Sequence, residues 1–181
     1  MNLYVMRHAD AGVPRENPVL DAKRALVKEG KQQCMLMAGV LAGLKTQIDV
    51  IIASPLKRAR QTAQFVATEM GFDQPILTSP VLAPDGDYAA FQQLLAEYAK
   101  NEGVLVVGHN PNLHQFITRL VSGNGNGHAQ GSGSVRLRKA GIARIDMGKH
   151  PAQLHWLIDP RLAKTIQASV TKSSRPKTSR K

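Results

Sequence analysis

The stretch LYVMRHAD (residues 3–10) begins as an apolar run and ends in a cation, an imidazole and, two residues on, a carboxylate. Such a run predicts a short buried strand, yet packing alone gives no reason for Arg7 and His8 at its end. Two further stretches repeat the arrangement. DVIIAS (residues 49–54) is apolar and leads into PLKRARQT (residues 55–62), with Arg58 at the mouth of a helix. GVLVVG (residues 103–108), the most apolar segment of the chain, runs into His109, Asn110 and Pro111 ahead of another helix.

The segments between these junctions predict helices. Apolar residues recur at helical spacing over 28–44, 58–70, 88–100 and 112–121, and Gly71 stands where a helix stop is expected. Residues 76–82, interrupted by Pro80, read as a weaker strand or extended loop, and 141–147 and 153–158 as two closing strands. The Gly- and Ser-rich run 122–134 reads as a low-complexity loop. Strands alternating with helices indicate an α/β protein with a sheet that is parallel in its middle.

With 181 residues and 43% hydrophobic composition, one well-buried domain is expected. A single cysteine, Cys34, excludes an internal disulfide framework. No leader pattern or apolar run of membrane length is visible, and a cytoplasmic protein without membrane contact is expected. The net charge of +11 at first suggests nucleic acid, but seven of the cations fall between Pro160 and Lys181, where there is no acid, leaving +4 for residues 1–159. The expectation is a catalytic domain over 1–160 and a basic, disordered tail over 161–181. Aromatic residues make up 4% of the chain, too few to interleave with the cations as an RNA reader requires, so no specific nucleic-acid partner is expected.

In open α/β sheets ligands bind beyond the carboxyl ends of the strands. That rule gathers Arg7, His8, Arg58 and His109 around one pocket. Two guanidinium forks match phosphate oxygens, neutral imidazole is a competent nucleophile near pH 7, and a second imidazole protonated by a dianionic phosphate would stabilise transferring charge. No metal or other cofactor is called for, since His109 and His114 have neither a HExxH pattern nor a nearby cysteine pair.

LYVMRHAD, SPLKRARQTA and VVGHNP, in this order, resemble the three signature segments of the histidine phosphatase superfamily, the phosphoglycerate mutase-like fold. DAKRAL (residues 21–26) and LAPDGD (residues 82–87) extend the resemblance to the compact SixA-type phosphohistidine phosphatases. A lone Arg-His pair would be weak; the ordered triple is specific. The resemblance implies a three-layer fold over about residues 1–160, mostly parallel in its sheet and without a large cap. It also implies His8 as the nucleophile, Arg7, Arg58 and His109 as the phosphate pocket, and Arg24 as an additional phosphate contact. Ala9 departs from the commoner glycine at that position.

Larger superfamily members protonate the leaving group with a carboxylic acid carried near a cap. A departing imidazole, with a conjugate-acid pKa of about 6.5, needs such an acid far less than an alkoxide does. A lidless pocket also admits a protein surface. The expected substrate is therefore phosphohistidine on a protein; the alternatives are a small phosphomonoester on the same fold and, from a different class, a non-catalytic polyanion-binding module. Asp21, Asp85 and Asp87 are the candidates if an acid is used. A monomer is expected.

Overall fold

The computed structural model describes residues 1–122, 134–148 and 151–173. Six strands form one sheet: β1 (Asn2–Arg7), β2 (Val50–Ala53), β3 (Leu77–Thr78), β4 (Gly103–Gly108), β5 (Ile142–Asp146) and β6 (Gln153–Ile158), in the spatial order β3-β2-β4-β1-β5-β6. The first four run parallel; β5 pairs antiparallel with β1, and β6 antiparallel with β5. The expected α/β class, with a mostly parallel sheet, is what is observed.

Helices cover both faces because β1 and β4 alternate their apolar side chains between them. Tyr4, Met6, Leu105 and Val107 pack with Cys34, Met37 and Leu41 of α2 (Lys28–Gly43) and with Ala63 and Val66 of α3 (Lys57–Met70). Leu3, Val5, Val104 and Val106 pack with Phe91 and Leu95 of α4 (Tyr88–Glu97) and with Phe116 and Ile117 of α5 (Asn112–Ser122). Every residue of β4 is buried, which explains its unbroken apolar sequence. Gly71 closes α3 in the left-handed conformation, φ 69°, where a β-carbon would be strained.

Two helices go beyond the expected elements. The short α1 (Pro18–Ala22) has too few residues for a periodic pattern; Asn17 caps it, its Oδ1 accepting from the Val19 and Leu20 amides, and Pro18 begins it. The second, α6 (Pro160–Ser173), corrects the expectation of disorder from residue 161. Asp159 caps this helix through the Arg161 and Leu162 amides, Ala163 is buried against the α2–α3 layer, and Lys164 Nζ lies 3.0 Å from Glu29 Oε1 of α2. The basic composition of the last residues masked an ordinary start signal, Asp159-Pro160, and an apolar 162–163–166–170 pattern. Residues 174–181 lie outside the described residues, as does most of the 122–134 run. Residues 76–82 resolve into the two-residue β3 and a 3₁₀ turn, Pro80–Leu82.

Candidate active site

Sheet order brings the three junctions together. β4 lies between β1 and β2, with Arg7 in register with Gly108 and Ala53 with Val107. Beyond the last pairs the ladder continues: the His8 amide donates to the Gly108 carbonyl at 2.9 Å and the Ser54 amide to that of Val107 at 2.8 Å. His8, Ser54 and His109 thus leave three adjacent strands on one edge, and α3 places Arg58 beside them.

The two imidazoles face each other with ring centroids 4.9 Å apart and planes inclined at 51°. His8 Nδ1 is 2.7 Å from the carbonyl oxygen of Ala9. A carbonyl can only accept, so Nδ1 carries the hydrogen and Nε2 keeps its lone pair. His109 Nε2 lies 2.9 Å from the Ser54 hydroxyl. His109 Nδ1, Arg7 Nε and Arg58 Nε are buried and have no hydrogen-bond partner among the described residues. Donors left without partners are costly in a packed interior, and a set of three such N–H donors is chemically suited to an oxyanion.

Electrostatics agree. Burial lowers the His8 pKa to about 4; its bond to Ala9, the next effect in size, opposes this, and the Arg58, Arg7 and Arg24 cations add to the lowering. Burial, His8 and the same arginines lower that of His109 to about 3. Both rings are neutral at pH 7 without a bound anion, so the expected protonation of His109 requires the phosphate itself.

Arg24 and Asp21 form the wall opposite. Asp21 accepts from Arg24 Nε at 2.8 Å, from Arg58 Nη1 at 3.1 Å and from the Arg15 amide at 2.9 Å, while its carbonyl accepts from Arg58 Nη1 at 2.9 Å. Arg24 Nη1 also donates to the Ala11 and Gly12 carbonyls, each at 3.0 Å. Arg24 is thereby tied into the wall beside Arg58. The Arg15 amide, then Arg24, hold the Asp21 pKa at about 2, so this carboxylate is ionised and is not a proton donor at neutral pH. Asp87 accepts from the Ala90 amide as the cap of α4, and Asp85 and Asp87 are both exposed. Among the described residues no cluster of three or more His, Cys, Asp or Glu side chains could hold a metal ion.

Three supports were not legible in the sequence. Thr62, fully buried, accepts from the Ala9 amide at 3.0 Å and donates to the Arg58 carbonyl at 2.7 Å, linking the histidine strand to the arginine helix. Ser54 orients His109. Ala140, in the left-handed region at φ 56°, donates to the carbonyls of Arg7 and His8. Only Thr62 and Ser54 stood within a recognised motif, and nothing in their spacing specified which backbone groups they meet. Ala9 itself is not among the residues of positive φ, and its methyl is buried in the α2–α3 layer; alanine fits where the commoner pattern has glycine.

Comparison with known proteins places this geometry. The histidine phosphatase superfamily (branch 1) profile matches residues 3–83. Phosphohistidine phosphatase SixA of Escherichia coli is 32% identical over 126 residues, 68% of this chain and 76% of that protein. The chain belongs to the histidine phosphatase superfamily. An uncharacterized protein of Picosynechococcus sp. is 33% identical over 158 residues, 86% of this chain and 90% of that one. A solved structure of the protein histidine phosphatase SixA complexed with tungstate superposes with a TM-score of 0.76 at 25% identity, covering 89% of this chain and 98% of that chain. The chain is thus a SixA-like histidine phosphatase superfamily hydrolase with a phosphoglycerate mutase-like fold. No described helix is long and apolar enough to cross a membrane.

Proposed function

We propose that this hydrolase removes the phosphoryl group from phosphohistidine on a protein, through a phosphorylated His8. The observation that carries the reading is a histidine whose Nε2 keeps its lone pair, beside three buried, unpartnered nitrogens, two on residues at adjacent strand ends and one on Arg58 of α3.

Arg7, Arg58 and His109 receive the phosphoryl oxygens. The His8 Nε2 lone pair forms a bond to phosphorus as the substrate N–P bond breaks, and that electron pair leaves on the substrate imidazole, which takes a proton from solvent. The Ala9 carbonyl, already accepting from Nδ1–H, stabilises the positive charge on the phosphorylated ring. Water then attacks phosphorus, its proton passes to solvent or to phosphate, Nε2 regains its lone pair, and inorganic phosphate departs. A Ser54 hydroxyl that donates to His109 Nε2 leaves that ring's hydrogen on Nδ1, the atom without a partner. The phosphate dianion raises the His109 pKa as it binds. Arg24 supplies positive charge from the wall. The ionised Asp21 offers no proton, which suits a leaving imidazole better than an alkoxide. Neither a metal nor another cofactor enters these steps.

The test offers a phosphohistidine-bearing protein and a set of phosphomonoesters in parallel. Turnover of the first should predominate, and acid-labile, base-stable label from the substrate should appear on the peptide containing His8. His8→Ala should abolish the label and lower turnover by at least about 10⁴-fold. Label on serine or aspartate would sink the mechanism, preference for phosphomonoesters would reassign the substrate, and anion binding with no turnover would leave a binding module.

A further inference from the structure

A cleft of about 610 Å³ opens at Arg7 and Asn110, the chain neighbours of His8 and His109, between the 134–139 segment and the start of α6. Its volume falls within the roughly 300–1,000 Å³ of typical binding clefts. Arg7 and Asn110 belong to its wall, joining it to the strand-end pocket, and Arg136, Arg138, Lys139 and Arg161 make the lining strongly cationic. Asp159 is the only acid among the described lining residues.

Two of these cations are already matched. Arg138 Nε lies 3.3 Å from Asp159 Oδ2, and Lys139 Nζ 2.8 Å from Asp10 Oδ1. Arg136 and Arg161 are exposed and have no ion-pair partner among the described residues. The first amides of α6 are taken by Asp159, so the helix offers the cleft the Arg161 side chain rather than free N–H groups. Unmatched positive charge therefore lies on the same cleft as Arg7, on side chains more exposed than Arg7 itself.

We infer that this cleft is a subsite for Asp or Glu side chains flanking the phosphohistidine of a protein substrate, held by Arg136 and Arg161. The inference rests on the phosphohistidine reading above. A protein segment is favoured over single-stranded nucleic acid because no Phe, Tyr or Trp stands among the described lining residues to stack a base.

The test compares two peptides that carry a non-hydrolysable triazole analogue of phosphohistidine, one flanked by glutamates and one by glutamines, binding to the full chain. The glutamate peptide should bind about tenfold more tightly at low salt, the size expected of two exposed charge contacts. The ratio should shrink as ionic strength rises and fall below about twofold in the Arg136→Gln/Arg161→Gln variant. Equal binding of both peptides, a salt-insensitive ratio, or a ratio unchanged in the variant would overturn the subsite. The salt series needs only the wild-type chain, so the inference stays exposed even if the variant does not fold. An oligonucleotide that displaces the glutamate peptide at lower concentration than the glutamine peptide does would also overturn it. Hydrolysis of the matching phosphohistidine peptides separates the two readings. No turnover with an intact binding ratio sinks the proposed activity and spares the subsite, whereas turnover with equal binding sinks the subsite alone.

Discussion

The floor and the wall of the pocket are held by different forces. The floor, His8, Ser54 and His109, emerges from three adjacent strands whose apolar residues are buried except for the half-buried Val50, and its backbone is fixed by the ladder of the sheet. The wall is Asp21, on a five-residue helix with no buried residue, and Arg24, two residues past the end of that helix. One carboxylate joins Arg24, Arg58 and the Arg15 amide there. Packing makes the floor rigid and dry, which lowers both histidine pKa values. The wall depends on polar contacts that water can replace, so its disruption should cost far less. Four experiments can break or sharpen that contrast.

Arg58 belongs to both regions, with its Nε buried and without a partner and its Nη1 on Asp21. Arg58→Lys should lower kcat/KM by about 10²–10³-fold, because an ammonium cannot hold a phosphoryl oxygen and Asp21 together. Steady-state kinetics with and without chelator would measure this, and activity should survive EDTA.

The dry floor predicts acid sensitivity. His8 and His109 have folded-state pKa values of about 4 and about 3, below the unfolded value of 6.5. Between pH 6.5 and about 4 the unfolded chain therefore binds more protons, and stability must fall as pH falls. Each histidine contributes at most about 1.4 kcal/mol per pH unit in that window. Urea unfolding at stepped pH should show the slope, and His109→Asn should flatten it. Depressed aspartates such as Asp21, at about 2, act only below pH 4 and do not confuse the result.

Thr62→Val keeps shape but leaves the buried Ala9 amide and Arg58 carbonyl without this partner. A loss of about 1–3 kcal/mol is expected in denaturant unfolding. Asp21→Asn should have the smallest effect, roughly a tenfold loss of kcat/KM, carried mainly by KM since the Arg58 and Arg24 forks lose their orientation while the floor stays intact. A loss as large as that of Arg58→Lys would show that wall and floor act as one unit.

The same contrast explains what was legible in the sequence. His8, Arg58 and His109 each follow an apolar run, and the rule that strand ends build sites placed them together across more than a hundred residues of chain. The four central strands and four long helices were visible for the same reason, since burial imposes period. The wall left no such trace. Asp21 stood out as a possible acid, but its ties to Arg58 and the Arg15 amide depend on how the segment around α1 meets α3. Thr62 and Ser54 act on backbone groups that spacing cannot identify. For α6, net charge drew attention away from an Asp-Pro start and a spaced apolar face, and composition proved a poorer guide than pattern.

The central position of β4 also bears on how the chain is made. β1 and β2 are synthesised first, yet they do not pair with each other; β2 can meet only the two-residue β3 before β4, which emerges some fifty residues after β2 and slots between β1 and β2. Until then a nascent chain carries two apolar strands with open edges, the condition under which chains associate wrongly. The pocket cannot form in part, because His109 arrives with the strand that joins the halves. On the roles proposed above, a growing chain on the ribosome gains its structural centre and its chemistry in the same step, and truncated products ending before β4 should be both inactive and prone to aggregate.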